Sequence, residues 1–168
     1  EAKEAFRAAA GIAQRAGRTV ALTLSDTFCV ERNREDFTAL FAANAVDVLF
    51  ANEHEMRALY QTSDLDAAVR EIQTVVPMTV VTMGSQGAMI VTRDGIHQTH
   101  AQHVEEVVDL TGAGDLFAGG FMFGMTRGLP LPECARIGAI AAAEVISHIG
   151  ARPQHSLKDL VRQEGVAI

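Results

Sequence analysis

Residues 108–121 run Val-Asp-Leu-Thr-Gly-Ala-Gly-Asp-Leu-Phe-Ala-Gly-Gly-Phe, an apolar start that tightens into small residues and then opens into a helical pattern. Gly112 and Gly114 allow backbone N–H groups to come close to whatever lies above the turn. The positive end of the succeeding helix adds to their pull on an anion such as a phosphate. Asp115 falls in the first turn of that helix and is expected to be buried among the small residues around it. An anion-holding turn with a carboxylate beside it suits phosphoryl transfer: the N–H groups steady the phosphoryl group while the carboxylate takes a hydroxyl proton. The same letters also describe a glycine-rich N-cap with an acid in its usual place, so the neighbouring clusters matter.

Two further clusters stand where a strand is predicted to end. Asn52-Glu53-His54-Glu55 comes after the apolar segment Asp47 to Phe50. Asn52 and Glu55 are three apart and can face one side of a helix start. There an amide and a carboxylate can hold Mg²⁺ through water, close a capping box, or do both. Thr82-Met83-Gly84-Ser85-Gln86-Gly87 offers hydroxyls and glycines to the phosphates of a nucleotide, and equally makes an ordinary turn. His97, His100 and His103 repeat every three residues across a predicted strand and loop. Side chains so spaced alternate between faces of a strand, which argues against a shared metal. Cys29 and Cys134 lack metal-ligand spacing and read as packing residues.

The elements that must position these clusters alternate between helix and strand. Residues 1–16 form an Ala-rich helix with Phe6, Ala9, Ile12 and Ala13 on one face, stopped at Gly17. Thr19 to Leu24 reads as a buried strand, Ser25-Asp26-Thr27 as a polar loop, and residues 34–44 as a helix. Helices over Asn52 to Gln61 and Asp64 to Val75 come after the second strand, the latter with Leu65, Ala68, Val69 and Ile72 inward. Thr79 to Thr82 is a third strand; Ala88 to Thr92 and His97 to Ala101 make a hairpin turned at Asp94-Gly95. Two long helices, about 115–127 and 132–148, flank Pro130 and Pro132, and a short helix near 156–163 closes the chain. Phe117, Phe121, Met122, Phe123 and Met125 mark the first of these as buried on most sides. Strands alternating with helices imply a mostly parallel sheet covered on both faces, whose ligands bind at the carboxyl ends of the strands.

With 168 residues, 48% of them hydrophobic, the chain amounts to one domain with enough apolar material for a core. A net charge of −7 without blocks of like charge argues against a nucleic-acid binder. Two cysteines without an evident partner fit a reducing cytoplasm, and no apolar run reaches membrane-spanning length. The chain opens at Glu1, without Met, inside a helical pattern, as expected of a piece of something longer.

Taken together, the Asp109-to-Asp115 stretch with Gly119-Gly120, Asn52-x-x-Glu55 and Thr82-x-Gly84-x-x-Gly87 resemble, in order and spacing, the motifs of the ribokinase-like (PfkB) carbohydrate and nucleoside kinases. Leu110 departs from the Thr or Pro usual at its position. The resemblance implies an α/β three-layer sandwich with a mostly parallel sheet. It implies that residues 1–168 are the C-terminal, nucleotide-binding and catalytic portion, without the N-terminal half and its lid. The implied roles are Asp115 as general base and the N–H groups of Gly112, Ala113 and Gly114 as an anion hole. Asn52 and Glu55 would organise Mg²⁺ and ATP phosphates; Thr82, Gly84, Ser85 and Gly87 would line the nucleotide site, with Ala139 near the adenine. Asp109, Thr111, Val145 and Gly150, with His148 beside them, would surround a monovalent cation such as K⁺. The implied reaction is ATP-dependent phosphorylation of a hydroxymethyl group on a nucleoside or sugar. Gly119-Gly120-Phe121 and Ala141 to Pro153 lean toward adenosine-kinase-type members. A ribokinase- or fructokinase-like sugar kinase, and a non-catalytic ATP-binding relative or inert fragment, are the alternatives. A homodimer formed through the lid is a further implication.

Overall fold

The computed structural model describes residues 2–168. Helix α1 (Ala2–Arg15) leads into strand β1 (Ala21–Thr23), helix α2 (Thr27–Ala42), strand β2 (Val48–Asn52) and helices α3 (Glu53–Tyr60) and α4 (Leu65–Val75). Next come strand β3 (Met78–Thr82), a 3₁₀ turn (Gly84–Gln86) and strands β4 (Ala88–Thr92) and β5 (Gly95–Thr99). Helices α5 (Ala113–Thr126), α6 (Leu131–Ile146) and α7 (Leu157–Gln163) complete the order. The strands form one sheet in the order β1-β2-β3-β4-β5, with β1 and β2, and β2 and β3, paired in parallel. The α/β alternation expected from the sequence is present, and no helix among the described residues is long and apolar enough to cross a membrane.

The chain divides into two compact units. The first takes the residues up to Thr82 together with Ile90–Ile96. Its core is the near-continuous apolar runs of β2 and β3, buried along almost their whole length, as strands covered on both faces require. Leu24, Val30, Met56 and Ile72 are fully buried around them. Three local features differ from the sequence reading. Helix α2 starts at Thr27, not near residue 34, because the Asp26 carboxylate accepts from the Cys29 N–H and caps it, and the helix runs on through non-helical Asn33. Strand β1 is only three residues long. On α1 the expected apolar face is not covered: Ala10 is buried, while Phe6 and Ile12 are exposed.

The second unit holds Met83–Met89 and His97–Ile168. Ile137, Ile140, Val161 and Val166 form a buried cluster on α6, α7 and the residues after α7, and each such side chain contributes on the order of 1.5–3 kcal/mol by leaving water. Helix α5 buries Phe117, Phe121 and Gly124 but leaves Met122 exposed, so it is covered on fewer sides than its composition suggests. Cys134 is buried, as expected of a packing residue, and Cys29 is half-buried.

Helices α5 and α6 approach backbone to backbone. A Cβ added at Gly138 would stand 2.7 Å from the Phe117 carbonyl oxygen, and one at Gly120 would stand 2.9 Å from the Gly138 Cα. Gly119, by contrast, has nothing beyond its own helical turn within 4 Å of such a Cβ among the described residues. Gly138→Ala is therefore expected to destabilise by about 1–3 kcal/mol through overpacking, more than the roughly 1 kcal/mol that alanine gains as a helix former. Gly119→Ala is expected to be neutral or stabilising. Urea denaturation of both variants checks the pair; equal effects would remove the close-approach argument.

Candidate active site

In the first unit the sheet register gathers the carboxyl ends of three strands. Asn52 at the end of β2 pairs with Thr82 at the end of β3, whose hydroxyl lies 3.5 Å from the Ala51 carbonyl. Asn52 then caps α3. Its Oδ1 accepts from the Glu55 N–H at 2.9 Å, while Glu55 Oε2 accepts from the Asn52 N–H at 2.9 Å. Glu55 Oε1 also accepts from Asn52 Nδ2 at 2.7 Å. The capping box expected as one reading of this spacing is thus formed, and it fixes the carboxylate in place.

Glu55 is 4% exposed. Burial pushes its carboxyl above the ordinary carboxylate range; the Asn52 N–H opposes this, the charge of Asp26 adds to it, and His54 opposes it. By sequence alone Asp26 reads only as part of a loop. Its position between β1 and the start of α2, like that of Asn52 between the end of β2 and α3, is the signal that could have found it. Two repelling carboxylates and an amide make an oxygen donor set of the kind a hydrated divalent cation relieves.

In the second unit the turn at Gly84–Gln86 leaves Gly84 and Ser85 exposed and closes with Met83 donating its N–H to the Gly87 carbonyl at 2.8 Å. The rest of the unit builds the glycine turn. Gly112, at φ +84°, is the N-cap of α5, and a Cβ there would meet that of Ala151 at 2.9 Å. Both the backbone angle and the space exclude a side chain. Leu116 makes the first helical bond, donating to the Gly112 carbonyl at 2.9 Å.

Of the three expected anion-hole donors, the Ala113 N–H is turned to the Leu110 carbonyl at 3.2 Å. The N–H groups of Gly112 and Gly114, and that of Asp115, carry no backbone acceptor among the described residues, as the orphan donors of a helix start do. Asp115 itself is exposed. This corrects the expected burial: the small residues beside it are too short to cover a carboxylate in the first turn of α5.

Asp109 ties the turn to the segment after α6. Its Oδ1 accepts from the Thr111 N–H at 2.9 Å and from Thr111 Oγ1 at 2.7 Å, and its Oδ2 accepts from the Gly150 N–H at 3.0 Å. The Gly150 N–H, then the Thr111 hydroxyl and N–H, hold the Asp109 carboxyl down at about 2, against the effect of burial and with help from His148. Val145, buried, lies in the last turn of α6, and Ala139 is half-buried nearly two turns before it. Asp109, Thr111 and Gly150 are thus brought together around an ionised carboxylate, close to the carbonyl end of α6, which suits a cation. His97 lies on β5, with His100 and His103 beyond it; no group of three metal-ligating side chains stands among the described residues.

A sheet whose first three strands run parallel, interleaved with helices, is the ribokinase-like fold, which a solved ribokinase from Arabidopsis thaliana shares with this chain at 23% identity and a TM-score of 0.79, over 98% of this chain and 53% of that one. The profile of the pfkB family carbohydrate kinases matches residues 2–158, and the chain belongs to that family. A probable sugar kinase from Rhizobium etli CFN 42 is similar to it at 44% identity and a TM-score of 0.96, over 98% of this chain and 50% of that one. The adenosine kinase from Sinorhizobium meliloti gives the same identity, TM-score and coverage. Cytidine kinase from Thermococcus kodakarensis is 32% identical over 80% of this chain and 49% of its own length. The chain spans about half the length of the relatives it matches.

The Asp109 tether has a pH signature. A carboxyl held below its ordinary value orders the native turn at all pH above the unfolded pKa and stops doing so as pH falls through the folded one. The amide resonances of Gly150 and Thr111 are therefore expected to stay constant down to about pH 3, then shift with a midpoint at about 2 as the folded-state carboxyl protonates. A transition centred above about pH 5 in an NMR titration would contradict the tether.

Proposed function

We propose that residues 1–168 are the C-terminal, nucleotide-binding and catalytic portion of an ATP-dependent kinase that phosphorylates a hydroxymethyl group of a nucleoside. The observation that carries this reading is the start of α5, where N–H groups without backbone acceptors and the exposed Asp115 carboxylate share one turn. Asp115 takes the proton of the acceptor hydroxyl as its oxygen bonds to the terminal phosphorus of ATP. The bond from that phosphorus to the bridging oxygen breaks, and ADP leaves with the electron pair. The N–H groups of Gly112 and Gly114, joined by that of Asp115, hold the charge that spreads over the transferring group. Thr82, Gly84, Ser85, Gly87 and Ala139 serve the nucleotide.

Asn52, Glu55 and Asp26 would hold the water shell of Mg²⁺, which when bound neutralises phosphate charge. Asp109, Thr111, Val145 and Gly150 would hold a monovalent cation such as K⁺. Asp115, Leu110 and Ile149 are exposed around the turn, so efficient transfer requires more protein to exclude water from the acceptor.

The adenosine kinase relative supports a nucleoside acceptor. A sugar acceptor is the second reading, supported by a probable sugar kinase of equal similarity. ADP release by the whole protein over a panel of nucleosides and sugars tests both. Turnover with ribose or fructose and none with adenosine would move the assignment to a sugar kinase. Absence of both turnover and ATP binding would leave a non-catalytic relative.

Asp115→Asn keeps size and polarity but deletes the base. Turnover is expected to fall by about 10²–10⁴-fold with ATP affinity nearly unchanged, and near-parental turnover would sink the assignment of Asp115. Glu55→Gln removes the charge and is expected to raise the Mg²⁺ concentration needed for half-maximal activity. An unchanged Mg²⁺ titration, with a small drop in melting temperature, would reduce Glu55 to a capping partner.

A further inference from the structure

Glu144 lies in the last turns of α6 and is 7% exposed. Its Oε1 accepts from the backbone N–H of Gln154 at 2.7 Å and of His155 at 2.8 Å. The His155 ring Nδ1 is 3.2 Å from the same oxygen and the His148 Nε2 is 3.4 Å away. Residues 147–155 therefore leave α6 and return to it, clasped by one carboxylate. The middle of that excursion touches the anion-binding turn. Gly150 donates to Asp109 at 3.0 Å, and Ala151 lies against Gly112 so closely that no Cβ fits between them. At its near end the Ile146 carbonyl accepts from the Val108 N–H at 2.8 Å.

From this geometry we infer that Glu144 is a positioning residue for phosphoryl transfer, holding the 147–155 loop so that it presses the Gly112–Gly114 turn into register. The consequence for catalysis rests on the kinase reading above; the mechanical link does not. A purely stabilising role fits the site poorly, since Oε2 of Glu144 is buried with no hydrogen-bond donor among the described residues, and an apolar side chain would escape that cost. Burial opposes ionisation of this carboxyl, yet the two N–H donors and the histidine contacts bring it below its ordinary value, so the clasp is a charge-assisted one.

The test compares Glu144→Ala, Glu144→Asp and Glu144→Gln in the whole protein by hydrogen–deuterium exchange and steady-state kinetics. Alanine removes the acceptor, aspartate withdraws it by one methylene, and glutamine keeps one oxygen for the two N–H groups. Alanine and aspartate are expected to speed exchange in peptides covering 147–156 and also 109–114, while α7 and the first half of α6 keep parental protection. They are expected to lower kcat by about 10–10²-fold, as misplacement of a transition-state donor does, with KM for ATP within about twofold. Glutamine is expected to restore most of both. If alanine fails to fold, aspartate alone carries the comparison. Faster exchange confined to 147–156, or spread evenly over α5 and α6, would overturn the inference. Kinetics that track stability across the three variants would overturn it equally. Should the parent protein show no kinase activity, the functional proposal fails while the exchange result still decides the link.

Discussion

The carboxylate of Asp109 accepts three hydrogen bonds from two stretches of chain, Thr111 just after it and Gly150 forty-one residues on. That one group ties the glycine turn to the segment after α6. Thr111 N–H and hydroxyl on one oxygen close the turn locally, an Asx-type arrangement that the chain could form alone. The bond to Gly150 is different, because it brings the segment after α6 against the start of α5. Once it is made, Ala151 occupies the space beside Gly112, and only glycine satisfies both the positive φ and the contact.

The helices behind the turn rely on small residues in the same way. Gly120, Gly124 and Gly138 let α5 and α6 approach until backbone meets backbone, which places the N-terminus of α5 without any bulky spacer. Dispersion contacts at such close range are individually tiny and collectively large, and they leave little slack for the turn to drift. The buried cluster of Ile137, Ile140, Val161 and Val166 then fastens α7 to α6.

In the first unit the positioning agent is the sheet. Parallel pairing of β1, β2 and β3 brings their carboxyl ends to one edge. The first two of these strands each give way to a polar cap: Asp26 before α2, Asn52 before α3. Capping and ligand binding ask for the same chemistry, polar groups gathered at a helix start. Glu55 forms the cap with Asn52, and it is the same group proposed to serve Mg²⁺. The capping box that holds the helix end also holds a buried carboxylate near Asp26, whose charge raises its pKa further.

Much of this is legible without coordinates. The periodicity of α4, the apolar runs of β2 and β3, and the spacing of Asn52, Glu55, Thr82 and Gly112 to Asp115 are properties of neighbouring residues, and local rules read them. The start of α2 escapes those rules because Asp26-Thr27 has the letters of a loop and the role of a cap, a choice that depends on where β1 ends. The exposure of Asp115, Phe6 and Ile12 is not legible either, since burial is decided by whatever packs across from a residue, and periodicity says only which side is apolar. Local rules do not join Asp109 to Gly150, which only the family resemblance had grouped, and tertiary structure alone joined Glu144 to Gln154 and His155. Those partners are separated by ten to forty-one residues, and a carboxylate in a sequence does not announce which distant N–H it will meet. Local chemistry thus determined the kinds of site this chain could build, while long-range hydrogen bonding and the close approach of α5 and α6 decided which groups were brought to bear on one another.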